Sequence, residues 1–147
     1  MIGKRCSAAA LAGLLVSGNA AAVEFRSVTE SAAILYDAPS TKAQKLFVLS
    51  QGYPVEVVVK VEGWTKVRDD TGEFAWIENN RLSERHTVMV KVASAEARQA
   101  ANENSPVVFT AEKNVFLELV DMAAGWAKVR HHDGATGFIK VSQLWGL

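Results

Sequence analysis

The chain contains one pattern twice, and this repetition constrains its fold more than any other feature. The block GWTKVRDDTGEFAWIENNRL at 63–82 aligns without a gap with GWAKVRHHDGATGFIKVSQL at 125–144, an offset of 62 residues. The same offset places Phe47 on Phe109. Self-similarity at a single spacing indicates a repeated structural unit. We therefore predict two tandem units, 23–85 and 86–147, joined by a short polar connection that keeps them close together.

Residues 1–22 have the layout of a cleaved signal peptide. Lys4 and Arg5 precede an uncharged apolar stretch, and the small residues SGNAAA close the segment. The apolar stretch is too short to span a bilayer. We predict cleavage after Ala22 and a periplasmic or secreted protein without a membrane span. Cys6, the single cysteine, falls inside the removed segment, so we expect neither a disulfide nor a lipid anchor in the mature chain.

Each unit shows the periodicity of β-strands. Segments such as YPVEVVVKVEGW and VFLELVD alternate apolar with polar residues, which is typical of half-buried antiparallel strands. DDTG and HHDG are hairpin-turn sequences, and the second predicts a hairpin of WAKVR and GFIKV. We expect an all-β fold, with four or five short strands per unit closing a small barrel. Segment 94–104 has two interpretations: its composition favours a short helix, whereas its counterpart, 32–42, contains Pro39 and reads as a loop.

The order of these segments resembles a known family. Each unit runs from an apolar strand through a loop and the Gly-Trp-x-Lys-Val-Arg block to a closing aromatic-Ile pair. This is similar to the bacterial SH3-like domain, and the final LWGL resembles the end of exported tandem proteins of this kind. The resemblance implies two tandem small SH3-like β-barrels after the signal peptide, and a binding role. The copies depart from the pattern differently: Arg98 matches the family's arginine where the first copy has Tyr36.

Composition and motifs exclude several function classes. Sixteen Lys and Arg balance sixteen Asp and Glu, so the formal charge is +0, and nucleic acid is not an expected partner. The mature chain contains no cysteine nucleophile, Gly-x-Ser-x-Gly elbow, His-Glu-x-x-His or phosphate-binding glycine loop. We therefore predict a non-enzymatic protein without a cofactor. His131 and His132 are adjacent, so they would point to opposite sides of an extended chain, and we interpret them as a solvated turn rather than a metal site.

Aromatic residues of the first unit are the candidate binding site. The candidates are Tyr36, Tyr53, Trp64, Phe74 and Trp76. They would form the aromatic side of a groove beside the barrel mouth, as the resemblance implies, although Trp64 and its counterpart Trp126 also fit a packing role. Whether Trp64 and Trp76 share a face depends on the turn between them. Trp145 is expected to close the second barrel or to pack between the copies.

Two functions of different classes fit these features. The first is recognition of peptidoglycan, most plausibly its peptide stems, through the aromatic surface of the first barrel. The alternative is an adaptor that docks on another envelope protein, because a neutral to mildly acidic chain has no electrostatic attraction to an anionic wall polymer. The sequence predicts no oligomeric state.

Overall fold

A computed structural model of the chain describes residues 21–29 and 32–147, and nearly all of its regular structure is β-strand. Within these ranges, strands assemble into two separate seven-stranded antiparallel sheets, one from each half of the chain. No helix in the described part is long and apolar enough to cross a membrane. The predicted signal peptide, 1–22, lies outside the described residues except for its last two positions.

The first barrel contains seven strands and one short 3-10 helix at Asn79–Arg81. The strands are β1 (Phe25–Val28), β2 (Ala32–Tyr36), β3 (Lys45–Ser50), β4 (Pro54–Val61), β5 (Trp64–Arg68), β6 (Phe74–Glu78) and β7 (Leu82–Ser83). Their order across the sheet is β3-β2-β6-β5-β4-β1-β7.

The second barrel repeats this arrangement, with its 3-10 helix at Val141–Gln143. Its strands are β8 (Thr87–Val90), β9 (Ser94–Arg98), β10 (Val107–Glu112), β11 (Phe116–Ala123), β12 (Trp126–Arg130), β13 (Thr136–Lys140) and β14 (Leu144–Trp145). Their order is β10-β9-β13-β12-β11-β8-β14, the same as in the first barrel. The offset of 62 residues holds from Phe25, which opens β1, to Thr87, which opens β8. The prediction of two tandem β-barrels is confirmed.

Two details of the predicted strands are wrong. Each barrel has seven strands where four or five are expected. The two-residue β7 pairs with β1 at one edge of the first sheet, and β14 pairs with β8 at the same edge of the second. The start of 94–104 is neither helix nor loop but strand β9. Ala95 and Ala97 are fully buried while Glu96 between them is exposed, so the segment has a period of two that its helix-favouring composition concealed.

Each barrel has its own apolar core. Val67 and Ile77 of the first barrel are completely buried, as are their counterparts Val129 and Ile139 in the second. These residues alternate with outward-facing ones along the β5–β6 and β12–β13 hairpins. The core therefore fixes which residues of each hairpin reach the outer surface.

The two barrels are packed against each other. All four residues of β8 are buried, although only alternate residues of a strand can face its own barrel's core. The Thr87 hydroxyl of the second barrel donates to the Gly52 carbonyl of the first barrel at 2.7 Å. Trp145 lies against Phe25, as expected for a tryptophan packed between the copies.

Candidate functional site

The β5–β6 hairpin places three of the predicted aromatic residues on one outer surface. In its register Lys66 lies opposite Trp76, Arg68 opposite Phe74 and Glu78 opposite Trp64. Directly opposite residues of an antiparallel pair project to the same side of the sheet. Because the intervening residues form the core, Trp64, Phe74 and Trp76 all project outward, which answers the question that the turn left open.

Tyr36 joins the same surface because residues of a strand alternate between its two sides, and its neighbour Leu35 faces the core. The pairing of β2 with β3 is irregular beside it, since Leu46 of β3 is skipped between Phe47 and Lys45. Leu35 and Tyr36 are both buried. Leu35 belongs to the core, whereas Tyr36 lies opposite Trp76 on β6. Its ring meets Trp64 edge to face, with centroids 5.4 Å apart. We call Tyr36, Trp64, Phe74 and Trp76 the aromatic face.

The aromatic face offers apolar contact area with one adjacent positive charge. Trp64 and Trp76 are half-buried, and Phe74 is 51% exposed. The Lys66 ammonium lies 5.3 Å from the centroid of the Phe74 ring, within the range of a cation–π interaction. Flat, partly exposed rings of this kind stack on sugars or on apolar peptide groups, and the indole N–H groups can donate hydrogen bonds to them. Such an arrangement can contact a ligand through both apolar and polar groups.

Tyr53 is separated from the other candidates. It packs against the first core, and its ring lies 5.4 Å from Phe116 of the second barrel. Its hydroxyl donates to the Asp70 carboxylate. Burial raises the pKa of the Tyr53 hydroxyl, and the negative charge of Asp70 raises it further. Tyr53 thus lies at the boundary between the barrels and is not part of the aromatic face.

The equivalent surface of the second barrel is largely ionic. Trp126 and Phe138 correspond to Trp64 and Trp76, but Arg98 occupies the position of Tyr36 and lies opposite Phe138. Arg98 pairs with Glu96 and donates to the Ser105 carbonyl at 2.8 Å. The ring of Tyr36 has no counterpart there, so the aromatic face belongs to the first barrel alone.

Sequence reasoning missed a cleft between the barrels. It has a volume of about 420 Å3, and its walls include Arg85, Glu118, Arg130, His131 and His132. The two histidines do occupy the predicted turn between β12 and β13, but they face this cleft. One signal was present in the sequence: at the repeat offset, His131 and His132 stand where the first copy has Asp69 and Asp70.

Three solved structures match much of the chain at low similarity. NlpC2 from Trichomonas vaginalis matches with a TM-score of 0.40 and 18% identity, over 84% of this chain and 48% of that one. NlpC1 from the same organism matches with a TM-score of 0.40 and 19% identity, over 91% and 50%. An NlpC/P60 family protein from Bacillus cereus ATCC 10987 gives 0.39 and 15%, over 83% and 56%. The chain thus spans about half the length of these proteins.

The sequence families give a direct assignment. No curated protein matches the chain. A family model described as the bacterial SH3 domain matches twice, at residues 29–84 and 91–146. These two matches cover most of the chain and fall one on each barrel. The chain therefore belongs to the bacterial SH3 domain family.

Proposed function

We propose that this protein is an exported, non-catalytic module that recognises peptidoglycan in the cell envelope, through the aromatic face of its first barrel. One observation carries the proposal: Tyr36, Trp64, Phe74 and Trp76 gather on one outer surface, whereas the same surface of the second barrel has the Arg98–Glu96 ion pair in place of Tyr36 and Thr136 in place of Phe74. The domain boundaries that we propose are 1–22 for the signal peptide, 23–85 for the first barrel and 86–147 for the second.

The chemistry of the face suits a peptide stem attached to a sugar. Half-buried Trp64 and Trp76 provide rigid planes for apolar contact at a low cost in side-chain entropy. Lys66, held over Phe74, provides a cation for a carboxylate of the stem. Tyr36 is 5% exposed, and its ring packs edge to face against Trp64. Its main role in this proposal is to hold the Trp64 ring in place rather than to contact the ligand.

Co-sedimentation with purified sacculi at low salt tests this proposal. The mature protein, 23–147, should pellet with the sacculi, and Trp76→Ala should weaken the binding. Phe138→Ala is the matched control, because it truncates the equivalent ring of the second barrel and should leave binding unchanged. Whole protein is required, since cutting between the barrels would expose buried residues such as Thr87.

Two results would refute the proposal. The first is wild-type protein that remains in the supernatant. The second is an equal loss of binding in both variants, which would indicate a site elsewhere or a general effect on the fold. Circular dichroism distinguishes a site elsewhere from a general effect on the fold. Trp76 lies outside the core, so its variant should keep the native spectrum.

An adaptor that docks on another envelope protein is the second candidate. The edge strands favour it: Leu46 and Val48 on β3 are 41% and 60% exposed, and Val107 and Val108 on β10 are 44% and 47% exposed. Apolar side chains on an unpaired edge are typical of protein-binding surfaces. A pull-down from envelope extract should then recover a partner that Val48→Glu loses. Recovery of only background proteins would count against the adaptor.

A further inference from the structure

We propose that the cleft between the two barrels is a second binding site, and that it takes the terminal carboxylate of a peptide. The site is independent of the aromatic face and does not require that the protein bind peptidoglycan. Both barrels build it: Gln51 and Gly52 line it from the first, and Thr87 and Phe116 line it from the second. Its volume of about 420 Å3 lies within the range of roughly 300–1,000 Å3 that small-ligand sites occupy.

The ion pairs at the cleft leave an excess of positive charge. Arg85 and Arg130 both contact the same oxygen of Glu118, Oε2, at 3.1 and 3.5 Å. Each guanidinium carries five N–H donors and cannot be deprotonated. Among the charged residues that line the cleft, two arginines are therefore opposed by one carboxylate.

The first barrel provides an internal comparison for this pair. By the repeat offset, Glu118 corresponds to Glu56 and Arg130 to Arg68. Arg68 has Glu56 to itself within the described residues, and it donates from Nε at 2.8 Å and also from Nη2. Arg130 instead makes one long contact through Nη1, while Arg85 from the connection between the barrels contacts the same Glu118 oxygen. Arg130 therefore does not form with Glu118 the close contact through two nitrogens that Arg68 forms with Glu56.

The residues around the arginines reinforce the preference for an anion. His131 and His132 line the cleft where the first barrel has two aspartates, so the repeat has exchanged carboxylates for imidazoles there. Asp133 lies 3.2 Å from Nδ1 of His131, but it does not line the cleft. A peptide carboxylate placed here would accept N–H bonds from guanidinium groups, whose planar forks match its geometry.

The remaining wall favours a peptide over a bare inorganic anion. Phe116 is half-buried, and a Cβ added at Gly52 would lie 3.6 Å from its ring. Both residues line the cleft, so its lining is partly apolar. Ser27, Ser83, Thr87 and Gln51 also line the cleft. The Ser27 and Thr87 hydroxyls donate to the Arg85 and Gly52 carbonyls, so their oxygens remain as acceptors for a ligand N–H. An apolar floor with surrounding donors and acceptors can hold the side chain and backbone of a terminal residue, which a small inorganic ion does not have.

NMR titration of the whole protein with N-acetyl-dialanine tests the proposal. The peptide with a free carboxylate should give saturable shifts at the amides of Gly52, Thr87 and Phe116, which lie on both sides of the cleft. Its C-terminal amide should bind at least about tenfold more weakly, because it lacks the charge-assisted hydrogen bonds. Inorganic phosphate, the third probe, should also bind more weakly than the free peptide.

Variants separate binding from a structural role. Arg130→Gln should weaken binding about tenfold, whereas Arg68→Gln, the equivalent change in the first barrel, should not alter it. Glu118→Gln should strengthen binding, because it removes the competing carboxylate from both arginines. Glu56→Gln is the matched control and should have no effect. A merely structural Glu118 would not produce tighter binding when neutralised.

Several outcomes would overturn the proposal. These are the absence of saturable shifts at millimolar peptide, equal binding of the peptide and its amide, and phosphate that binds as tightly as the peptide. Weaker binding in Glu118→Gln would also overturn it. Binding of peptidoglycan by the aromatic face is tested separately with Trp76→Ala, so failure of one site leaves the other distinguishable.

Discussion

Phe25 and Trp145 meet edge to face across the boundary between the barrels, with ring centroids 5.2 Å apart and planes at 85°. Phe25 opens the first strand of the first barrel, and Trp145 ends the last strand of the second. The His86 ring stacks on Phe25 at a centroid distance of 5.9 Å, and its Nε2 lies 2.5 Å from the Gly146 carbonyl oxygen. The two ends of the described fold are thereby joined, and we expect both barrels to unfold in one transition.

Truncating this aromatic pair should reduce the free energy of unfolding. Phe25→Ala and Trp145→Ala should each cost about 1–3 kcal/mol, since each ring is half-buried. The double variant should lose about 0.5–1.5 kcal/mol less than the sum of the two single losses, because each single variant already removes the interaction between the two rings. Urea unfolding followed by far-UV circular dichroism measures these values. Phe74→Ala, at an exposed ring outside the boundary, should stay within about 0.5 kcal/mol of wild type. Strictly additive losses would contradict the coupling.

Two glycines separate backbone strain from contact between the barrels. Gly146 has a φ of +105°, and a Cβ there would lie 3.2 Å from Cβ of Pro54 in the first barrel and 3.1 Å from the Thr87 carbonyl oxygen. Gly134 has a φ of +94°, but a Cβ there would meet nothing within 4 Å. Gly134→Ala should cost about 1 kcal/mol from strain alone.

Gly146→Ala should be less stable than Gly134→Ala by a further 1 kcal/mol or so, because the added methyl also crowds the Thr87 carbonyl of its own barrel and Pro54 of the neighbouring one. Thermal unfolding of both variants under identical conditions measures the difference. Equal midpoints would contradict the predicted cost of crowding at Gly146.

The repeat and its periodicity predict two all-β units, and the family resemblance adds the SH3-like arrangement. The WAKVR and GFIKV segments form strands Trp126–Arg130 and Thr136–Lys140, joined by the HHDG turn as predicted. This worked because alternation over four or five residues determines which side chains are buried. The prediction for segment 94–104 is wrong because Ala95 and Ala97 intrinsically favour helices. Their small side chains nevertheless fit a tightly packed pair of strands, where both are buried.

The candidate site was predictable only in part. Residue type identifies the aromatic candidates, and alternation along β2 places Tyr36 on the side away from the core residue Leu35. Local periodicity does not predict which strand lies beside Tyr36, and this pairing with Trp76 on β6 completes the aromatic face. Tyr53 lies apart from the other four candidates, and its contact with Phe116 depends on how the barrels dock, which the sequence of one unit does not indicate. The cleft was missed for the same reason: it forms from side chains distant in sequence that only docking brings together.

Core valines at equivalent positions should have equivalent costs. Val67 and Val129 are both fully buried and occupy the same place in β5 and β12. Val67→Ala and Val129→Ala should each leave a small cavity and lower the free energy of unfolding by about 1–3 kcal/mol. Chemical denaturation should show a single transition in both variants, since the barrels are packed together. Val59→Ala, at a side chain that is 45% exposed, is the control and should change little. A second transition in either variant would refute unfolding as one unit.

Stability at alkaline pH should depend on Tyr53. Burial raises the pKa of its hydroxyl, and Asp70 adds to the effect. An unfolded chain ionises tyrosine near pH 10 or so, whereas the folded protein keeps this phenol neutral to higher pH. The contribution to stability is therefore complete below about pH 10 and is lost as the pH rises further.

Tyr53→Phe keeps the ring against Phe116 and removes the ionisable group, so its stability should fall less steeply than that of wild type above about pH 10. Asp70→Asn removes the carboxylate but keeps the half-buried hydroxyl, so its stability should still fall more steeply than that of Tyr53→Phe, because burial is the larger cause of the raised pKa. Urea midpoints measured in steps from about pH 8 to pH 11 give the three curves, and lysine titration contributes equally to all of them. Parallel curves for wild type and Tyr53→Phe would mean that the Tyr53 hydroxyl is ionised as readily in the folded protein as in the unfolded chain.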